Sequence, residues 1–169
     1  MRKILVMGAP GAGKSTFARR LSANTGLPLI HLDQQFWNAG WVPTAPAAFR
    51  AKVEALIAGP AWIMDGDYGG TLDIRIAAAD FIVYLDQPRW LCMVRVLLRS
   101  ITTFGRVRAD LAPGCPEQFS WDFYKYVWNY FGTKGPERLA KLAAFKDKVV
   151  ILNGSREAED FLQLHTPRI

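Results

Sequence analysis

The sequence predicts an α/β fold in which a parallel sheet of five strands lies between two layers of helices. Three observations predict it. Strand-sized apolar runs alternate along the chain with stretches of helical periodicity, the pattern of βα units whose helices cover both sheet faces. The first run, Ile4-Leu5-Val6-Met7, leads directly into Gly8-Ala9-Pro10-Gly11-Ala12-Gly13-Lys14-Ser15, which fits G-x-x-x-x-G-K-[ST]. An amphipathic stretch from Ser15 to Ala23, with Phe17, Ala18 and Leu21, follows without a gap. A buried strand feeding a glycine turn that opens a helix suits phosphate binding, because the first helical N–H groups and the positive end of the helix dipole then face the loop. The predicted class is therefore the three-layer phosphate-loop (P-loop) NTPase fold.

Length and composition set the outer bounds. A chain of 169 residues, half of them hydrophobic, supports one substantial core, so residues 1–169 are expected to form a single domain. No run approaches the ~20 apolar residues of a membrane span, and the patch after Met1-Arg2-Lys3 is too short for a signal peptide. The expectation is a cytoplasmic protein with no membrane partner. Cys92 and Cys115 are too few for a zinc site or a disulfide framework. The formal charge of +6 suits an anionic partner, and nucleotides and nucleic acids both qualify. There are no internal repeats or dividing linkers.

In the loop, Gly8, Pro10, Gly11, Ala12, Gly13, Lys14, Ser15 and Thr16 form the expected nucleotide-binding set, with Lys14 meeting the triphosphate and Ser15 its magnesium. Thr25-Gly26 ends the first helix, and Leu27 to Asp33 reads as a second strand closing on a carboxylate. Ligands of open α/β sheets bind beyond the carboxyl ends of strands, so Asp33 is expected in the same crevice, accepting a hydrogen bond from a substrate hydroxyl and assisting its deprotonation. A capping or turn aspartate is the alternative. Phe36, Trp37 and Trp41 fall in a loop-like decapeptide, where they either cover the core or wall a substrate pocket. Thr44 then precedes a helix marked by Phe49, Val53, Leu56 and Ile57 and ended by Gly59-Pro60.

Ala61 to Gly66 is the third strand, and Asp65 at its end is the candidate magnesium carboxylate beside Ser15. Asp67 and Tyr68 lie just beyond, with Tyr68 a candidate for the acceptor pocket. Arg75 follows Gly69-Gly70-Thr71 in a short helix; it either binds acceptor or phosphate, or pairs at the surface with Asp73 or Asp80. Phe81 to Asp86 is the fourth strand, with Asp86 ranked below Asp65 for the metal because Gln87-Pro88 suggests a capping duty. In the next helix Trp90, Val94, Leu97, Leu98 and Ile101 are expected to form the buried stripe, with Arg95, Arg99 and Arg106 on another face.

From Arg89 to Arg108 there are five arginines and no acidic residue. Arg95, Arg99, Arg106 and Arg108 are therefore candidates for stabilising a transferring phosphoryl group, a solvated basic surface being the alternative. The turn-rich stretch 102–120 suits a mobile lid. Eight aromatics crowd Phe119 to Phe131 on every side of a helical wheel; burial on two sides, a partner subunit, or closure over the acceptor each account for them. Pro136 opens another helix, Lys148 to Leu152 is the fifth strand, and Ser155 is expected to cap a final helix. The intervening Asn153-Gly154 is either a plain turn or a rest for a nucleotide base.

Taken together, the segments GAPGAGKST (8–16), HLDQQFW (31–37), Gly40-Trp41-Val42-Pro43, WIMDGDY (62–68), YLDQPRWLC (84–92) and GCPEQFSW (114–121) resemble the family of DNA topology modulation proteins. That family is a branch of the adenylate-kinase-like P-loop fold. The resemblance implies strand order 2-3-1-4-5, a nucleotide on Gly11, Gly13, Lys14, Ser15 and Thr16, a Walker-B-like Asp65, and a helical arginine-bearing lid. Adenylate kinases carry a Phe-Pro-Arg-type segment where this chain has Asp67-Tyr68-Gly69-Gly70, which argues against AMP as the acceptor.

The function expected is ATP- and Mg²⁺-dependent phosphoryl transfer to a small hydroxyl- or phosphate-bearing acceptor, by a monomer or homodimer. The rival is a nucleotide-dependent DNA-associated regulator, although no helix-turn-helix, zinc spacing or basic recognition helix is present. A GTPase switch is disfavoured because no Asn-Lys-x-Asp pattern occurs.

Overall fold

In the structure, a computed structural model that describes residues 1–165, the chain runs β1 (Lys3–Gly8), α1 (Lys14–Thr25), β2 (Leu29–His31), α2 (Leu32–Phe36), β3 (Trp37–Asn38), β4 (Val42–Pro43), α3 (Pro46–Ile57), β5 (Trp62–Asp65), α4 (Leu72–Ala78), β6 (Phe81–Asp86), α5 (Arg89–Thr102), α6 (Trp121–Tyr130), α7 (Lys134–Leu142), β7 (Val149–Asn153) and α8 (Gly154–Leu164). The main sheet is parallel throughout, in the order β2-β5-β1-β6-β7. Counting those five strands from the N-terminus, this is the expected 2-3-1-4-5. Strands β3 and β4 form a separate antiparallel hairpin.

Alternation along the strands explains the two layers, since successive side chains leave opposite faces. Ile4, Val6, Ile63 and Val83 pack with Phe17 and Leu21 of α1, Val96 of α5 and Leu162 of α8. Leu5, Met7, Trp62, Met64 and Ile82 pack the other way, against Phe49 and Val53 of α3, Ile76 of α4 and Leu142 of α7. The central β1 is covered on both faces, so it reads as an uninterrupted apolar run.

Three expectations are corrected. The second strand ends at His31, and Asp33 lies in the first turn of α2 instead of at a strand end. The segment expected to form a helical lid is not helical: residues 103–120 are irregular and tied at the base by a bridge between Phe104 and Glu117. The stripe of Trp90, Val94, Leu97, Leu98 and Ile101 faces outward, whereas Cys92, Val96 and Ser100 are buried. The reason is close approach: a Cβ on Gly11 would stand 2.4 Å from the Cys92 carbonyl oxygen, so the phosphate loop presses against the small-residue face of α5.

Candidate active site

The phosphate loop is shaped by glycines at the positions where other residues are strained. Gly8, Gly11 and Gly13 have φ of 140°, 81° and 93°. Gly13 precedes α1, whose free N–H groups open on the cavity. The Lys14 ammonium donates to the carbonyl oxygens of Gly8 at 2.9 Å and Ala9 at 2.8 Å. Burial pushes its pKa down, and Asp67, Asp65 and Asp33 oppose that shift. Those three carboxylates favour the charged form of Lys14 against its desolvation.

One cavity of about 940 Å³ joins the loop to the acceptor candidates. Pro10 to Thr16 line one part of it; Gly8 does not, and contributes only its carbonyl to Lys14. Asp33, Trp37, Trp41, Asp65, Asp67 and Tyr68 line another part. Tyr68 donates its hydroxyl to Asp33 Oδ1 at 2.5 Å. Burial raises the Asp33 pKa against the pull of that hydrogen bond, and the Tyr68 hydroxyl is pushed well above its ordinary value by burial and by Asp33. Asp33 is thus a desolvated carboxylate with a fixed orientation, suited to taking a proton.

Asp65 sits on β5 opposite His31 of β2 in the strand register and is bonded to His31 Nδ1 at 2.7 Å. Although burial lowers the His31 pKa, the hydrogen bond and charge of Asp65 outweigh it and the net shift is upward. Asp67 is held by Arg138 Nε at 3.1 Å and by the Tyr130 hydroxyl at 2.8 Å. Gly69 makes room for this brace, because a Cβ there would meet Arg138 Nη2 at 2.6 Å. None of His31, Tyr130 or Arg138 was singled out from the sequence. The His31–Asp65 pairing follows from register, and Arg138 lies 71 residues from Asp67.

The arginines divide. Arg95 reaches over the loop, donating to the Ala12 carbonyl at 3.4 Å and to Ser155 Oγ at 3.1 Å. Arg99 and Arg108 line the cavity but share Glu117, each 3.2 Å from its Oε2, and Arg108 also meets Asp110 at 3.1 Å. Arg106 is exposed and lies outside the cavity lining, so it does not join the site. Arg75 does not either: it is fully buried, its guanidinium donating to the carbonyls of Gly66, Tyr68 and Thr71. Its surface-pair alternative also fails, since Asp73 pairs with Arg50 and Asp80 accepts from the backbone of Arg2 and Lys3. Three bent-back carbonyls after a buried strand needed a donor, and Arg75 orders the Gly66–Thr71 loop from beneath.

Toward α8 the cavity is walled by Ser155, Ala158 and the Arg20–Glu159 pair. Ser155 lies inside the helix and is not its cap. The aromatics of α6 separate by role: Tyr124 and Tyr130 are buried, Phe123 and Tyr126 line the cavity, and Arg89 covers Trp128 at 4.9 Å. Among the described residues no group of three His, Cys, Asp or Glu side chains gathers to hold a metal, and no helix is long and apolar enough to cross a membrane.

The chain is similar in structure to a shikimate kinase from Acinetobacter baumannii solved in complex with shikimate. The match covers 97% of this chain and 90% of that one, at 16% identity and a TM-score of 0.59. The two share a fold, a five-stranded parallel sheet with flanking helices. No protein-family model and no curated protein matches the chain, and the resemblance to DNA topology modulation proteins is not confirmed by these comparisons.

Proposed function

We propose that the protein is an ATP-dependent phosphotransferase acting on a small acceptor through a hydroxyl group. The observation that carries this reading is that Asp33, oriented by Tyr68, lines the same cavity as Lys14 and the phosphate loop. A nucleotide switch needs no half-buried carboxylate in the cavity of the phosphate loop beside an aromatic wall. A hydroxyl kinase does, to take the proton of the attacking group.

The residues present fit ATP and Mg²⁺. The glycine cradle, the open N-terminus of α1 and the Lys14 ammonium suit a triphosphate. Ser15 and Asp65 supply a hydroxyl and a carboxylate, and Mg²⁺ takes one or two such protein oxygens and completes its shell with phosphate and water. When bound, the ion supplies charge neutralisation at the transferred phosphoryl group. Lys14 binds the β- and γ-phosphates, Arg95 stabilises charge over the loop, and Asp33 orients the acceptor and receives its proton. Trp37, Trp41 and Tyr68 wall the acceptor side and exclude water. In this reading residues 1–169 work as one kinase-like unit in the cytoplasm, with 102–120 as its lid.

The DNA-associated reading rested on the charge and the arginine stretch. Arg95, Arg99 and Arg108 are engaged inward, with the loop or Glu117, and Arg89 lies over the exposed Trp128 ring, so these four do not form one outward basic strip. The test is ADP formation across a panel of small alcohols and phosphorylated metabolites with Mg²⁺. At least one acceptor is expected to stimulate turnover, and Lys14→Ala should lower that rate by about 10²–10³-fold. If no acceptor raises ADP formation above the Lys14→Ala background, the kinase reading fails.

A further inference from the structure

The outward face of α5 is apolar where a surface helix is normally polar. Trp90, Val94, Leu97, Leu98 and Ile101 are between 39% and 65% exposed. At 100° per residue they fall within an arc of roughly 100° and extend roughly 16 Å along the helix. No charged side chain interrupts that arc. Phe104 and Phe119 prolong it, their rings 5.4 Å apart and each more than half exposed. Taken at the usual areas of such side chains, these seven present roughly 700 Å², above the 300–600 Å² of the largest patch on a typical monomer. The area approaches the ~800 Å² per partner of a standard protein interface.

We propose that this face is the interface of a symmetric dimer, in which α5 packs against α5 of a second copy. Three features favour that occupant. The area matches what a stable pair needs. A single straight helical stripe is self-complementary: an antiparallel crossing about a two-fold axis sets Trp90 of one copy beside Ile101 of the other, and the reverse. Charge completes the case. Two chains of formal charge +6 add the least like-charge repulsion when they meet through a surface that carries no charge, and this stripe is such a surface. A helix lying on anionic lipid places lysines and arginines along its flanks. The arginines of α5 are turned instead to Trp128, to the Ala12 carbonyl and to Glu117. The dimer would hold rigid the helix that carries Arg95 and Arg99 into the cavity, but the inference does not depend on catalysis.

The test is solution mass by light scattering after size-exclusion chromatography at tens of micromolar protein. Wild type is expected at twice 18.9 kDa. The Leu98→Glu/Ile101→Glu double variant, altered only at exposed positions, should keep the wild-type circular dichroism and run as a single chain, with the dimer dissociation constant raised at least 100-fold. Leu164→Glu, at an exposed leucine on α8, should remain dimeric. A single-chain mass for wild type overturns the proposal; if that monomer also pellets with vesicles of phosphatidylcholine and phosphatidylglycerol, the face is a lipid-binding one. A double variant that stays dimeric overturns it as well.

Discussion

Under the proposed function, the base strength that burial gives Asp33 comes with a stability cost. Burial raises its pKa above the unfolded value. A carboxyl group shifted upward contributes stability that is complete below the unfolded pKa, about 3.9, and is lost as pH rises through the folded pKa. At neutral pH the ionised group therefore opposes folding, while its desolvation makes it a stronger base. Asp33→Asn is expected to raise the urea midpoint of the nucleotide-free protein at pH 7, with the difference vanishing once pH falls below the unfolded pKa. The same variant should lose about 10²–10⁴ in turnover. In wild type, turnover should rise with pH as Asp33 loses its proton. An unchanged or lower midpoint at pH 7 would show that the Tyr68 bond, not desolvation, governs this residue.

Within the strand-loop-helix unit from Lys3 to Thr25, backbone shape and helix packing are one constraint. Gly11 combines φ of 81° with a carbonyl 2.4 Å from where a Cβ would stand, whereas Gly26, at φ 71°, has open space around it. Gly11→Ala must therefore move either the loop or α5, and is expected to lower stability by about 2–3 kcal/mol and to abolish the thermal shift given by ATP. Gly26→Ala should lower stability by about 1 kcal/mol and leave that shift intact. Differential scanning fluorimetry with and without nucleotide separates the two. The same packing explains why α5 was misread. Its apolar periodicity is real, but periodicity states only that one face differs from the others. Which face turns inward was decided by the loop, which presses on α5 at Cys92, and by Glu117, which draws Ser100 and Arg99 with it.

Across the whole molecule, the segment 103–120 is docked onto the aromatic hairpin. Gly40 N–H donates to the Gly114 carbonyl at 2.8 Å, Trp41 Nε1 to Pro116 O at 3.0 Å, and Gln34 Nε2 to Ala109 O at 2.6 Å. Trp41 itself has φ of 62°, a conformation uncommon for a large side chain and held here by its contacts with Trp37 and Pro116. The hairpin and segment 103–120 therefore enclose the same part of the cavity, the part assigned to the acceptor in the proposed function. Trp41→Phe keeps the ring and removes the bond to Pro116. It should raise the acceptor KM several-fold while leaving the ATP KM unchanged, because the phosphate loop lies on the other side of the cavity. Equal changes in both constants would show that the segment acts on the whole cleft.

The order of elements, the phosphate loop and Asp65 were legible in the sequence because each rests on local chemistry: β1, the glycine turn and α1 are contiguous, and a buried parallel strand announces itself by continuous apolarity. Asp33, Trp37 and Tyr68, proposed from the sequence for the acceptor pocket, line the same cavity as the loop, although Asp33 proved to belong to a helical turn. Tertiary structure alone decided the partners. His31 meets Asp65 through sheet register, Arg138 reaches Asp67 across 71 residues, and Arg75 serves buried carbonyls that no pattern marks. A charged side chain looks the same in sequence whether it faces substrate, a carboxylate or the backbone. Only the packing that removes water from around it determines which of these it must satisfy.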